Sequence, residues 1–271
     1  MLINGAVTNF LPLSDRGLAY GDGVFETIRY CNGRLLFEDL HLQRLQRACR
    51  TLDLTLDESA LEDDIAKALR LGNTPHGVLK IIVTRGGGGR GYRPPRQQST
   101  RIITLHPLPD YGPTPPEKGI RAFLCRQRLG IQTTLAGIKH LNRLEQVLAS
   151  GEWPDDGFLE GLMLDQDGYV IEGTRSNLFF VRQGRLYTPD LARCGIDGIM
   201  RQVLLQHYGE KVESGYYTLA DLYQAEEVFF CNSVFGVWPV LSLRAGTDEM
   251  QWQAGSHARE GSNYFHGVLQ T

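Results

Sequence analysis

Lysine is scarce in this chain of 271 residues: Lys67, Lys80, Lys118, Lys139 and Lys211 are the only lysines among 28 basic side chains. Any chemistry that needs a lysine amine therefore has a short field of candidates. Cysteine is sparse too. Cys31, Cys49, Cys125, Cys194 and Cys231 are odd in number, scattered, and never spaced as CxxC. That excludes a disulfide scaffold and a thiolate metal site, and it fits reduced thiols in a cytoplasmic protein. No apolar run approaches the roughly 18 residues of a membrane-crossing helix. The opening MLINGAVTNF lacks the basic and apolar blocks of a signal peptide. Charge of one sign is not in excess either: a net charge of -3 leaves no basic surplus for nucleic acid or an anionic membrane. The seven histidines show no HExxH or other ligand spacing, so no metal site is expected, and no GxSxG elbow marks a serine hydrolase.

What is present is the composition of a globular protein, 42% apolar and 22% charged, long enough to bury one large core or two modest ones. VFETIRY at 24–30 alternates as a strand does, placing Phe25, Thr27 and Arg29 on one face. Asn32-Gly33 then makes a two-residue hairpin turn. From Asp39, the stripe Leu42, Leu45, Cys49 and Leu52 predicts a helix with its arginines on the opposite face. A second helix follows an N-cap at Asp57, and GVLKIIVT and RIITLH read as buried strands. Five of the twelve prolines fall between 107 and 116, which rules out helix or central strand there. The segment 107–118 is therefore read as a linker between an N-terminal domain, 1–106, and a C-terminal domain, 119–271. The second domain opens with a strand at 119–126 and a helix from Lys139 through Leu148. Turns at Gln166-Asp167-Gly168 and Gln183-Gly184, a helix after Gly198 and a strand at 227–234 complete two α+β domains rich in antiparallel pairs.

Several motifs have two readings. Gly86, Gly88 and Gly91 satisfy GxGxxG after a strand, but Tyr92, Pro94 and Pro95 stand where a nucleotide-binding helix must open. A mobile loop is the better reading, with Arg85, Arg90 and Tyr92 suited to a lid over an anionic substrate. Lys67 lies on an amphipathic helix, Lys118 in the linker and Lys211 at a turn. Lys80, in an apolar strand, and Lys139, at a loop-to-helix junction, are equal candidates for a buried nucleophilic amine; a snorkelling structural lysine is the plain alternative for either. The backbone N–H groups after Gly198 offer a phosphate seat, although many helices begin this way. Glu172, at the end of a hairpin strand, reads in isolation as a solvated carboxylate.

Taken in order, these signals resemble one family. Tyr20-Gly21-Asp22-Gly23, His41-x-x-Arg44-Leu45, Lys139, Glu172-Gly173-Thr174, Asn177-Leu178-Phe179, Leu186-Tyr187-Thr188, Ile196 to Arg201 and Cys231-Asn232-Ser233 are similar to the signature of the class-IV, fold-type-IV pyridoxal-phosphate enzymes. That group includes D-amino-acid and branched-chain aminotransferases and aminodeoxychorismate lyases. The resemblance implies a smaller N-terminal α/β sandwich and a larger, β-barrel-like C-terminal domain with helices. It implies pyridoxal 5'-phosphate as cofactor and a homodimer. Lys139 matches the lysine that binds the cofactor covalently, and Glu172 the carboxylate facing the pyridine nitrogen. Arg44 matches the phosphate-binding arginine, Ile199 and Met200 the backbone part of the phosphate cup, and Asn232 or Ser233 a further donor. Thr27 stands where aminotransferases of the group carry the glycine of Phe-Glu-Gly. The segments Leu135 to Leu148 and Arg85 to Tyr92 look like the lyase branch. The expected reaction is release of pyruvate from 4-amino-4-deoxychorismate, with Lys139 as base and Thr27 assisting proton delivery. Arg90, Tyr92, Arg29 and Lys80 are candidates for the substrate's two carboxylates. Asn142 is one candidate partner for the cofactor's phenolic oxygen, because Leu144 stands where aminotransferases often place a tyrosine. A D-amino-acid or branched-chain aminotransferase, or a non-catalytic binding member of the fold, are the competing expectations.

Overall fold

A computed structural model describes residues 1–88, 91–111, 118–153 and 155–270. The chain divides into two compact units, Met1–Pro109 with Ile138–Asn142, and Asp110–Gly137 with Arg143–Thr271. The short return of 138–142 to the first unit departs from a single cut inside a proline-rich linker, and it carries Lys139 with it.

The first unit contains β1 (Leu2–Ile3), β2 (Ala6–Val7), α1 (Arg16–Tyr20), β3 (Gly23–Cys31), β4 (Arg34–Leu35), α2 (Glu38–Thr51), α3 (Glu58–Leu71), β5 (His76–Thr84) and β6 (Thr100–His106). Its sheet runs β2-β1-β6-β5-β3-β4, antiparallel throughout. The β3–β4 hairpin turns on Asn32 and Gly33 at φ 51° and 77°, the left-handed pair that a two-residue turn matching strand twist demands. Along β3, Val24, Glu26, Ile28 and Tyr30 are buried, while Phe25, Thr27 and Arg29 are half-buried on the other face. The alternation expected from the sequence is therefore present. Helix α3 starts where Asp57 accepts the Ala60 N–H at 3.0 Å. Helix α2 corrects the sequence reading in one respect. Arg47 and Arg50 are exposed, but Arg44 lies on the buried face beside Leu45, only 4% exposed.

The second unit contains β7 (Ile120–Leu129), α4 (Leu144–Ser150), β8 (Glu160–Asp165), β9 (Val170–Gly173), β10 (Asn177–Arg182), β11 (Arg185–Pro189), α5 (Ile199–Tyr208), β12 (Val212–Gly215), α6 (Leu219–Tyr223), β13 (Glu227–Asn232), β14 (Gly236–Ala245), β15 (Asp248–Gln251) and α7 (Ser256–Gln270). Strands β10, β13, β14, β7, β8 and β9 close into a ring, because β9 pairs back onto β10 through Glu172 and Asn177. Leu178, Phe180, Val228, Phe230, Trp238, Val240 and Leu162 form its core. Phe179 and Phe229, on the alternate face, stack with centroids 5.3 Å apart and are buried too. Strands covered on both faces read as continuous apolar runs, which is why NLFFV and EVFFC lack alternation. The helix expected from Lys139 onward does not exist as such: α4 begins only at Leu144, and before it His140 makes a bridge to Val24 in place of a helical turn.

Candidate active site

In the first unit, Lys139 is fixed by strand pairing. The Phe25 N–H donates to Lys139 O at 2.9 Å and the Leu141 N–H donates to Gly23 O at 2.9 Å, so His140 forms an antiparallel bridge to Val24 at the start of β3. Backbone hydrogen bonds claimed by β3 replace the helical ones, which is the physical reason the expected helix starts late. The Lys139 Nζ lies 4.5 Å from the centroid of the Phe25 ring. Lys80 reaches the same ring, 5.2 Å from its centroid, from β5, where it pairs with Thr27. Thr27 and Arg29 follow Phe25 on the same half-buried face. One strand face thus collects a hydroxyl, two amines and a guanidinium. Asn142 donates to Gly21 O at 3.2 Å.

The opposite face of β3 holds a charge cluster in which Arg44, matched in the sequence to a phosphate-binding arginine, meets Glu26 and His41. Glu26 Oε1 accepts from Arg44 Nε at 2.7 Å, and Glu26 Oε2 accepts from Arg44 Nη2 at 2.6 Å. Glu26 Oε2 also lies 2.7 Å from His41 Nδ1. All three side chains are buried. Burial opposes ionisation of Glu26, yet Arg44 and His41 outweigh it and hold the carboxyl down at about 2. Burial pushes His41 below its ordinary value, against the pull of Glu26.

The glycine-rich segment is less lid-like than its sequence suggests. Arg85 is buried and donates to Asp22, Leu52 O and Asp53 O, so it is structural. The Arg16 N–H donates to Gly86 O at 2.9 Å, and the Gly88 N–H donates to Ser14 O at 3.3 Å. Arg16 further donates to Gly91 O and Tyr92 O. Asp22 feels burial first, but Arg85 and Arg16 together lower its pKa. Tyr92 is 86% exposed and meets Tyr20 edge-on with centroids 5.7 Å apart. Arg90, the other expected substrate ligand, lies outside the described residues.

In the second unit, Glu172 is 3% exposed and far from a solvated carboxylate. Its Oε2 accepts the Ile196 N–H at 2.8 Å, an interaction made possible by the tight approach at Gly195, where φ is 84°. Arg143 stands near enough to Glu172 and Glu145 for their charges to offset part of the burial that lowers its pKa. Helix α5 opens at Gly198 with no side-chain cap and no acidic residue in its first turn. The N–H groups of Ile199 and Met200 belong to that first turn, whose donors have no intrahelical partner and whose dipole end is positive. Asn177 packs directly on Gly198, where a Cβ would stand 1.9 Å from Asn177 Oδ1, and donates to Ile196 O at 2.9 Å. Arg201 bonds Pro189 O, Ser214 and Asp197, tying the helix start to β11 and β12. Asn232 is committed to its own turn: Oδ1 accepts from the Val234 and Phe235 N–H groups, and Nδ2 donates to Arg175 O. Ser233, beside it, is buried at 8% exposure.

A family profile described as amino-transferase class IV matches residues 23–243. The chain belongs to the class-IV aminotransferase family. Among class-IV relatives, an aminodeoxychorismate lyase of Vibrio harveyi is 36% identical over 261 residues, covering 95% of this chain and 96% of that protein. A branched-chain-amino-acid aminotransferase of Escherichia coli K12 is 30% identical over 241 residues, covering 83% of this chain and 77% of that one. The crystal structure of 4-amino-4-deoxychorismate lyase from Pseudomonas aeruginosa superposes with a TM-score of 0.93 at 44% identity, covering 100% of this chain and 99% of that one. The class-IV fold accounts for both units: the antiparallel sheet under two helices, and the closed ring of six strands.

Proposed function

We propose that this class-IV chain is a pyridoxal-phosphate-dependent lyase that converts 4-amino-4-deoxychorismate into 4-aminobenzoate and pyruvate. The observation that carries the reading is the half-buried face of β3, where the Lys139 amine stands over Phe25 and Thr27 presents a hydroxyl two residues along. The likeness over the whole chain to the Pseudomonas and Vibrio lyases supports it.

The residues fit the cofactor. Glu172 is a buried carboxylate-bearing side chain held by a backbone N–H, suited, when ionised, to keep a pyridine nitrogen protonated. The uncapped start of α5 supplies N–H donors at Ile199 and Met200 for a phosphate, with Ser233 as a further donor and Arg44 as the guanidinium. Asn232, spent on its turn, serves by shaping the loop that carries Ser233. When bound through Lys139, the cofactor supplies an electron sink that acidifies the carbon bearing the substrate's amine.

Released when the substrate's amine takes its place on the cofactor, Lys139 Nζ would take the proton from that ring carbon, and Thr27 Oγ1 would pass a proton to the departing enolpyruvyl group, which leaves as pyruvate. Loss of that proton and that ether bond leaves an aromatic ring, so no keto-acid acceptor is required. Arg29 and Lys80, on the Thr27 face, and Tyr92 and Arg90 are assigned to the two substrate carboxylates. The chain is proposed to act as a homodimer in the cytoplasm. The outer face of α4, where Leu144, Val147 and Leu148 are 74%, 62% and 60% exposed, supports a second copy as its cover.

Incubation with aminodeoxychorismate tests the reading. Wild type should release 4-aminobenzoate and pyruvate in equal amounts, and Lys139→Ala should release neither. The 30% identity to a branched-chain aminotransferase favours one rival. Turnover of a branched-chain amino acid with 2-oxoglutarate, and none of aminodeoxychorismate, would establish that rival instead.

A further inference from the structure

The cluster behind β3 places three ionisable side chains in contact with one another and away from solvent: Glu26 at 1%, His41 at 0% and Arg44 at 4% exposure. We propose that Glu26 and His41 are positioning residues for Arg44, a carboxylate–imidazole pair that aims the guanidinium at the cofactor's phosphate. The inference rests on the assignment of Arg44 to that phosphate.

Helix α2 sets His41 and Arg44 three residues apart, on one face, directly opposite the inward side of β3. Glu26 takes Arg44 side-on, through Nε and Nη2, so the planar fork can neither swivel nor slide. A carboxylate held at about 2 is an acceptor only. His41 must therefore donate from Nδ1, which fixes its tautomer and sets the direction of the Glu26 carboxylate in turn.

Stability alone does not explain the arrangement. His41 Nε2 is buried without a hydrogen-bond partner among the described residues, a state that costs stability. A buried ion pair is often no more stable than apolar side chains of the same volume. Both costs are tolerable where the pair holds a third group in a required place, much as outer partners orient the ligands of a metal.

The test compares pyridoxal phosphate with pyridoxal, which lacks the phosphate, by following the absorbance change of each on binding. Glu26→Gln should weaken pyridoxal phosphate on the order of 10- to 100-fold, the range in which charge-assisted hydrogen bonds contribute, and leave pyridoxal unchanged. Arg44→Ala should show the same discrimination, and the double variant should bind no worse than Arg44→Ala alone. His41→Asn, which keeps a donor near the Nδ1 position, should retain affinity that His41→Leu loses. These two variants also carry the test should Glu26→Gln fail to fold. If Glu26→Gln, or the His41 pair, treats both ligands alike while Arg44→Ala discriminates, the positioning role is overturned and the phosphate assignment stands. If Arg44→Ala also treats both alike, the phosphate assignment fails and the positioning role falls with it.

Discussion

An amine becomes useful where its surroundings fix it, and Lys139 is fixed by the Phe25 N–H on its carbonyl, by the neighbouring bond from Leu141 to Gly23, and by the ring of Phe25. Other reactive groups in the chain are quenched by the same surroundings. Burial pushes the thiols of Cys49, Cys125 and Cys194 each up to about 12, and that of Cys231 higher still. Thiolate is the nucleophile, so these four should resist alkylation. Iodoacetamide at neutral pH should modify half-buried Cys31 first, read as a single adduct by intact mass; early labelling of Cys125 or Cys194 would contradict the burial described. At this scale the sequence was informative about residue type and silent about neighbours. It left Lys80 and Lys139 equal, because strand alternation says which side a residue faces and not which distant segment lies beside it. The two amines in fact converge on one aromatic ring. The contact between Glu26 and His41 escaped notice for the same reason: the motif around His41 gives no sign of a carboxylate 15 residues away.

Elements were legible where their chemistry is local. The Asn32-Gly33 and Gln183-Gly184 turns, the Asp57 cap and the helix after Gly198 all depend on adjacent residues, and all stand where the sequence puts them. The segment after Lys139 was misread because its apolar spacing continues unbroken into α4, while its backbone bonds go to β3. Helix α7 was missed altogether. Its N-terminal N–H groups at His257 and Ala258 are capped by Glu227, 31 residues before Ala258, so no cap is visible in the local sequence. The start of α5 offers the sharpest test of an element. Gly198→Ala would put a methyl group 1.9 Å from Asn177 Oδ1, displacing Asn177 from Ile196 O and shifting the first turn. We expect a loss of stability of about 1–3 kcal/mol, from strain and a lost buried hydrogen bond, together with weaker pyridoxal-phosphate binding. Urea unfolding and cofactor titration would measure the two; a wild-type value for both would remove Gly198 from the phosphate seat.

For the molecule as a whole, the buried charges set a limit in acid. Glu26 titrates at about 2 when folded against 4.5 as its ordinary value. A depressed folded value means its contribution is complete above pH 4.5 and is lost as pH falls through 4.5 toward 2. At about 1.4 kcal/mol for each unit, the loss is roughly 3 kcal/mol. Urea unfolding between pH 5 and pH 2 should therefore fall less steeply for Glu26→Gln than for wild type, and parallel slopes would contradict the assignment. The break between the two compact units falls at 109/110, among the prolines at 107–116 that the sequence displays. The return of 138–142 to the first unit follows from long-range pairing and has no local mark.

The identity of the cofactor-bearing lysine decides the account. Reducing the protein with borohydride in the presence of pyridoxal phosphate, then digesting it and mapping the phosphopyridoxyl group by mass spectrometry, reads that identity directly. The group is predicted on the peptide containing Lys139. Its recovery on Lys80, or on no lysine at all, would contradict the account.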